Sequence, residues 1–154
     1  MDILYLFIAF IASVGIYALY KRNKINKQIK GLSNKSIEMT PEEFKKMRNF
    51  SFGGRGTPKY ALKYNFKGVY ILYNKTKNMY YIGQANKVIN RVNAHFTGRG
   101  NGDVYADFKY GDEFTIKAIS LQESGYSSLN SLERDTIKTY DAFAHGYNKT
   151  RGNK

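Results

Sequence analysis

Residues 68–85 read Gly68-Val69-Tyr70-Ile71-Leu72-Tyr73-Asn74, then Lys75-Thr76-Lys77-Asn78, then Met79-Tyr80-Tyr81-Ile82-Gly83-Gln84-Ala85. Both outer runs are rich in β-branched and aromatic side chains, and the four residues between them are turn formers. The stretch therefore predicts an antiparallel hairpin. Such a hairpin brings Tyr70 and Tyr81 together as cross-strand or diagonal neighbours, in a register the sequence alone leaves open. Two tyrosines in a hairpin are, by themselves, ordinary sheet packing.

Downstream, residues 84–96 predict a helix with Val88, Val92 and Phe96 on one apolar stripe. Arg91 and His95, also four apart, form a second row at the edge of that stripe. Residues 114–120 (FTIKAIS) alternate and predict a third strand. The intervening residues 97–113 contain Gly98, Gly100, Gly102 and Gly111 and read as a flexible loop able to close over a substrate.

A further helix begins between residues 127 and 130. Leu129, Ile137 and Tyr140 share one face, and Glu133 falls in the middle of it. A carboxylate on a buried face must be protonated, paired or metal-bound, because an unpaired buried charge is costly. The alternative is a helix cap, since Asn130 and Glu133 have capping-box spacing. The chain closes with Gly146-Tyr147-Asn148-Lys149-Thr150, on the plainest reading a turn and a tail. His145 reads as structural or exposed.

Composition narrows the classes. The formal charge of +13 favours a polyanionic partner, either nucleic acid or an anionic membrane face. No cysteine is present, which excludes disulfides and thiolate zinc sites, and only two histidines speak against a His-rich metal centre. The many tyrosines and phenylalanines suit a sheet core or base stacking.

Residues 3–20 are apolar throughout, broken only by Ser13 and Gly15. As a helix they span roughly 27 Å, at the short end of a bilayer core. Asp2 precedes the run, and Lys21, Arg22, Lys24, Lys27 and Lys30 follow it. That order argues against a cleaved secretory signal. It predicts a single-pass anchor at 1–20, with the N-terminus out and the remainder cytoplasmic. Residues 21–63 read as a basic connector whose lysines meet anionic lipid headgroups or DNA. Within it Thr40, Pro41, Glu42 and Glu43 predict a helix start, running to about Asn49 and burying Phe44 and Met47. Residues 51–58, with three glycines and a proline, break the chain.

Taken in order, Gly68-Val69-Tyr70, Tyr81-Ile82-Gly83, Arg91 with His95, Glu133 and Gly146-Tyr147-Asn148 resemble the signature of the GIY-YIG nucleases, metal-dependent enzymes that cut nucleic acid. The resemblance covers residues 67–151, with Val69 replacing the isoleucine of the first triplet. It implies an α+β fold for residues 64–154, a small three-stranded antiparallel sheet flanked by helices, preceded here by one transmembrane helix. It also implies roles. Glu133 holds one divalent cation, Mg²⁺ or Mn²⁺. Arg91 stabilises charge on the scissile phosphate. Tyr70 or Tyr81 orients or deprotonates the attacking water with help from His95, and Asn148 positions groups beside them. The same resemblance favours metal binding over capping for Glu133.

Anchor and resemblance together imply an endonuclease at the cytoplasmic membrane face, acting on DNA, with RNA as the other nucleic acid, and directed at incoming foreign DNA such as phage DNA. A membrane-tethered binding module that has lost catalysis is the competing reading. The intact set of Tyr70, Tyr81, Arg91, Glu133 and Asn148 argues against it. A third reading, a basic surface serving anionic lipid alone, predicts no metal-dependent activity.

Overall fold

One antiparallel sheet organises the chain in a computed structural model that describes residues 3–54 and 56–153. Asp2, Arg55 of the glycine-rich stretch and Lys154, the end of the expected nuclease domain, lie outside the described residues. The strands are β1 (Gly68–Asn74), β2 (Met79–Ala85) and β3 (Phe114–Ser120), in the order β2-β1-β3. The expected α+β architecture is present. Asn78 closes the hairpin turn at φ +54°, a conformation asparagine tolerates better than most residues.

β1 is central and buried on both faces, which explains its nearly continuous apolar sequence. On one face Tyr70 and Leu72 join Phe114 and Ile116 beneath α2 (Pro41–Asn49), α3 (Tyr60–Lys63) and α4 (Val88–Phe96). On the other, Val69, Ile71, Ile82 and Ile119 pack against α1 (Ile3–Lys35) and α7 (Leu129–Thr139). Period-two alternation thus sends alternate residues of one strand into two separate cores.

Several local expectations hold. Thr40 caps α2 in a reciprocal capping box: its hydroxyl accepts from Glu43 N at 3.2 Å, and its own N–H donates to Glu43 Oε2 at 2.8 Å. Phe44 is buried and Met47 half-buried, as the pattern predicts.

Others need correction. Residues 97–113 are not a loop: Asn101 caps α5 (Gly102–Lys109) by accepting from the N–H groups of Asp103 and Val104, and Val104 is fully buried. The helix expected from residue 84 starts at Val88, because Gln84 and Ala85 still pair with Val69 and Gly68. Ser128, not Asn130, caps α7, so Glu133 belongs to no capping box. A short α6 (Leu121–Ser124) follows β3.

The apolar helix does not end at Tyr20. α1 continues to Lys35, and its last turns belong to the second core through Ile29, with Ile25 and Leu32 half-buried beside it. Thr139 Oγ1 donates to Asn26 Oδ1 at 3.0 Å, tying α1 to the end of α7. Both sheet edges are covered. Met39 exchanges backbone hydrogen bonds with Ile116 on β3, and residues 147 and 148 cover β2.

Candidate active site

The site is built around β2, where a buried glycine leaves room. Tyr70 on β1 lies opposite Gly83 on β2, and Leu72 lies opposite Tyr81. Tyr70 and Tyr81 are therefore diagonal neighbours on one face, with ring centroids 6.2 Å apart. A Cβ at Gly83 would collide with the Tyr70 hydroxyl and lie 2.9 Å from its Cε2. Glycine at this position is thus required by the approach of the Tyr70 ring rather than by backbone conformation.

His95, fully buried on α4, stacks obliquely near both rings, its centroid 5.3 Å from Tyr70 and 4.9 Å from Tyr81. Nε2 of His95 lies 2.9 Å from the Tyr70 hydroxyl. The backbone N–H of Asn101 donates to Nδ1 at 2.8 Å. An imidazole that accepts at Nδ1 carries its proton on Nε2, so neutral His95 donates to Tyr70. Burial, with the nearby Arg91 cation, holds the His95 pKa down at about 4. A Cβ at Gly100 would lie 2.5 Å from Nδ1, so this glycine lets the backbone close over the ring.

Burial raises the Tyr70 phenol above its ordinary range, with Tyr81 adding to the rise, while the Arg91 guanidinium opposes it. Arg91 itself is exposed on α4, and among the described residues no carboxylate forms an ion pair with it. A planar, permanently charged donor beside the Tyr70 phenol is suited to a phosphate.

Glu133 comes from the other side of the sheet, on α7, and is buried. Its Oε2 accepts from Gln84 Nε2 at 3.0 Å and from the Asn153 N–H at 3.4 Å. Burial raises its pKa, and these donors only partly offset that. A cavity of about 270 Å³ opens beside it, lined by Tyr81, Ile82, Asn101, Glu133, Tyr147 and Asn148 among others. Tyr81 from one face of the sheet and Glu133 from the other thus meet at the edge of β2.

Asn148 spends its amide on that edge: its Oδ1 accepts from Ile82 N at 2.8 Å and its Nδ2 donates to Ile82 O at 2.7 Å. The N–H of Tyr147 donates to Tyr80 O at 2.9 Å. The closing segment therefore acts as a fourth-strand substitute that fixes the backbone on both sides of Tyr81. Tyr147 donates in turn to Asp107 and accepts from the buried Asn74, which ties α5 to the same edge.

A family model described as the GIY-YIG catalytic domain matches residues 66–148, more than half of the chain. The chain belongs to the GIY-YIG family. No curated protein and no solved structure matches it. A GIY-YIG catalytic domain is a nuclease, a phosphodiester hydrolase, and its substrate is nucleic acid. GIY-YIG nucleases generally use divalent metal ions.

The residues of this chain fit such an ion. Among the described residues Glu133 is the one carboxylate lining the cavity, and no cluster of three or more His, Cys, Asp or Glu side chains occurs. A lone carboxylate with its charge disfavoured by burial suits a hard cation that keeps most of its waters. The GIY-YIG signature exposes Tyr70, Tyr81, Arg91, His95, Glu133 and Asn148 in the sequence, but not the groups that orient them. Gln84 holds Glu133, and Asn101 sets the His95 tautomer. Asn101 lies in the stretch read as a loop, and its role as the cap of α5 emerges only from the fold.

Proposed function

We propose that this GIY-YIG domain hydrolyses DNA phosphodiester bonds with the reacting phosphate seated at the cavity shared by Tyr81 and Glu133. The convergence of those two side chains from opposite sheet faces carries the reading. Glu133 would hold Mg²⁺ or Mn²⁺, which when bound supplies Lewis-acid neutralisation of phosphate charge. Arg91 grips the phosphate oxygens and meets the charge that develops on them. Tyr81, at the cavity wall, orients the attacking water. Negative charge on Tyr70 is met by the Nε2–H of His95 and by Arg91. Asn148 is a positioning residue: it fixes Ile82 and, through it, Tyr81.

The test is single-turnover cleavage of plasmid DNA, beside an RNA of similar length, by the full chain in detergent. Tyr81→Phe and Tyr70→Phe keep DNA binding and lose cleavage rate by about 10²-fold or more. An unchanged rate for Tyr81→Phe contradicts the assignment, and preferential cleavage of RNA contradicts the substrate.

The apolar half of α1 is a membrane anchor in this reading. The helix is long and apolar enough to cross a bilayer, and Ile3 and residues 5–20 are exposed. Lys21, Arg22, Lys24, Lys27 and Lys30 then meet anionic headgroups and keep the nuclease in the cytoplasm. A nuclease held there meets DNA at the inner membrane face, including incoming foreign DNA of phage. Protease added outside spheroplasts leaves residues 21–154 intact if this topology holds. Digestion of the domain contradicts it. Full-length protein protects cells against phage, whereas a soluble form starting at Lys21 cuts DNA in solution without protecting them. Equal protection by the soluble form contradicts the role of the anchor.

A further inference from the structure

From the end of α2 to the end of α3 the chain carries four aromatic rings on the surface, outside the region matched by the family model. Phe50 and Phe52 meet edge to face at 4.9 Å, Phe52 and Tyr60 at 5.4 Å, and Tyr60 and Tyr64 stand 5.0 Å apart. They form one continuous row. Phe52 is 83% exposed and Tyr64 64%, so most of their surface lies in water. The segment has defined structure: Tyr60 N donates to Phe50 O at 3.0 Å, and the Thr57 hydroxyl donates to Gly54 O at 2.8 Å. Four water-exposed rings held in a row are an unfavourable surface unless something covers them.

Charge identifies the occupant. Residues 44–102 contain no aspartate or glutamate. Lys59 and Lys63 alternate with Tyr60 and Tyr64, and Arg48 precedes the row. The segment is also tied to α4, the helix that carries Arg91 and His95. Val88 N donates to Phe66 O at 3.0 Å and Ile89 N donates to Asn65 Oδ1 at 2.9 Å, which fixes the end of this segment to the start of α4. Exposed Lys87 and Arg91 continue the positive charge along α4 toward Tyr70 and Tyr81. The rings lie on the α2–α3–α4 side of the sheet, whereas α1 packs on the α7 side. Rings alternating with cations, with no acid between residues 44 and 102, favour a nucleic acid, whose bases stack and whose phosphates meet the cations.

We infer that Phe50, Phe52, Tyr60 and Tyr64 form a stacking platform for unpaired bases of single-stranded nucleic acid, on the side of the sheet that carries α4 with Lys87 and Arg91. Aromatic rings among phosphate-binding cations hold single strands without reading sequence, because every base has a face to stack. The inference rests on nucleic acid being the substrate and names its class: a strand with an unpaired stretch next to the scissile bond, such as a tail, gap or entering single strand.

The chain contains no tryptophan, so Phe52→Trp places a single fluorescent reporter in the row. Full-length Phe52→Trp in detergent with EDTA is titrated with a 20-mer of deoxythymidine, with an abasic 20-mer and with a blunt duplex. The same variant is also read in nanodiscs of phosphatidylglycerol without oligonucleotide. Quenching by oligothymidine, with on the order of tenfold weaker response to the abasic strand and the duplex, is expected. Phe52→Ala/Tyr64→Ala, measured by anisotropy of the labelled strands, loses that preference and keeps its affinity for the abasic strand. Equal responses to the thymidine and abasic strands overturn the inference. So does a blue-shifted emission in the nanodiscs alone, which assigns the row to the lipid surface. Plasmid cutting by the same proteins is scored separately. Cutting without base-dependent quenching removes the platform alone, and quenching without cutting removes the nuclease reading alone.

Discussion

The backbone N–H of Asn101 donates to Nδ1 of His95 at 2.8 Å and so fixes which ring nitrogen faces Tyr70. His95 can then only donate to that phenol, across 2.9 Å. As a donor it stabilises charge on Tyr70. It does not accept the Tyr70 proton, which in this geometry would require the other tautomer.

The same burial makes the fold acid-sensitive. The His95 pKa is about 4 in the folded chain, against an ordinary value of 6.5. Between these values the unfolded chain binds a proton that the folded chain does not, so stability falls as pH drops through this window. It loses no more from this group below about 4. The loss is on the order of 3 kcal/mol. Urea unfolding from pH 7 to 4 measures it, and His95→Gln removes this part of the pH slope.

Gly83→Ala drives a methyl group into the Tyr70 ring. The ring must move and its contact with His95 is lost. Cleavage falls by about 10²-fold, since a displacement on the order of 1 Å has that effect on a positioned group. Stability falls by about 1–3 kcal/mol through overpacking. Cleavage kinetics and urea unfolding of this variant report the two effects independently.

Glu133 has its pKa raised, first by burial. For a carboxylate with that shift, the folded chain holds the proton more tightly than the unfolded chain. Its contribution is present at low pH and is lost as pH rises through the raised value. In metal-free buffer at pH 7, Glu133→Gln is therefore at least as stable as wild type. Divalent cation reverses the order, raising the Tm of wild type alone, because only the carboxylate binds it. Thermal unfolding with and without Mg²⁺ checks both statements.

The inner half of α1 is part of the folded domain. Ile29 is 0% exposed, among Leu132, Ile137 and Ile119. Ile29→Ala costs about 2–5 kcal/mol. Removing residues 1–20 leaves the domain folded, whereas removing residues 1–35 exposes the α7 core and lowers the urea midpoint sharply. Equal midpoints for the two truncations contradict the packing of α1.

What was legible in the sequence is what local pattern encodes. The three strands follow from alternation and β-branching, and α2 follows from Thr40, Pro41 and Glu43. α5 was hidden by glycines 98, 100, 102 and 111, although Asn101 caps it and Val104 buries it. In α1, Ile25, Ile29 and Leu32 form a helical stripe, but lysines on every side mask it. The tyrosines, Arg91 and Glu133 were readable because a signature fixes their order. Their partners were not: Gln84 meets Glu133 across 49 residues of chain, a contact that only the folded edge of β2 creates.

Conversion of supercoiled plasmid to nicked and linear forms, by the full chain in detergent with Mg²⁺, tests most directly whether hydrolysis occurs at this cavity. Wild type is compared with Glu133→Gln and Arg91→Ala, with DNA binding measured alongside. Wild type cuts only with divalent cation, and each variant binds DNA but cuts slower by about 10²-fold or more. Cutting by Glu133→Gln at the wild-type rate would contradict the placement of the chemistry between Tyr81 and Glu133.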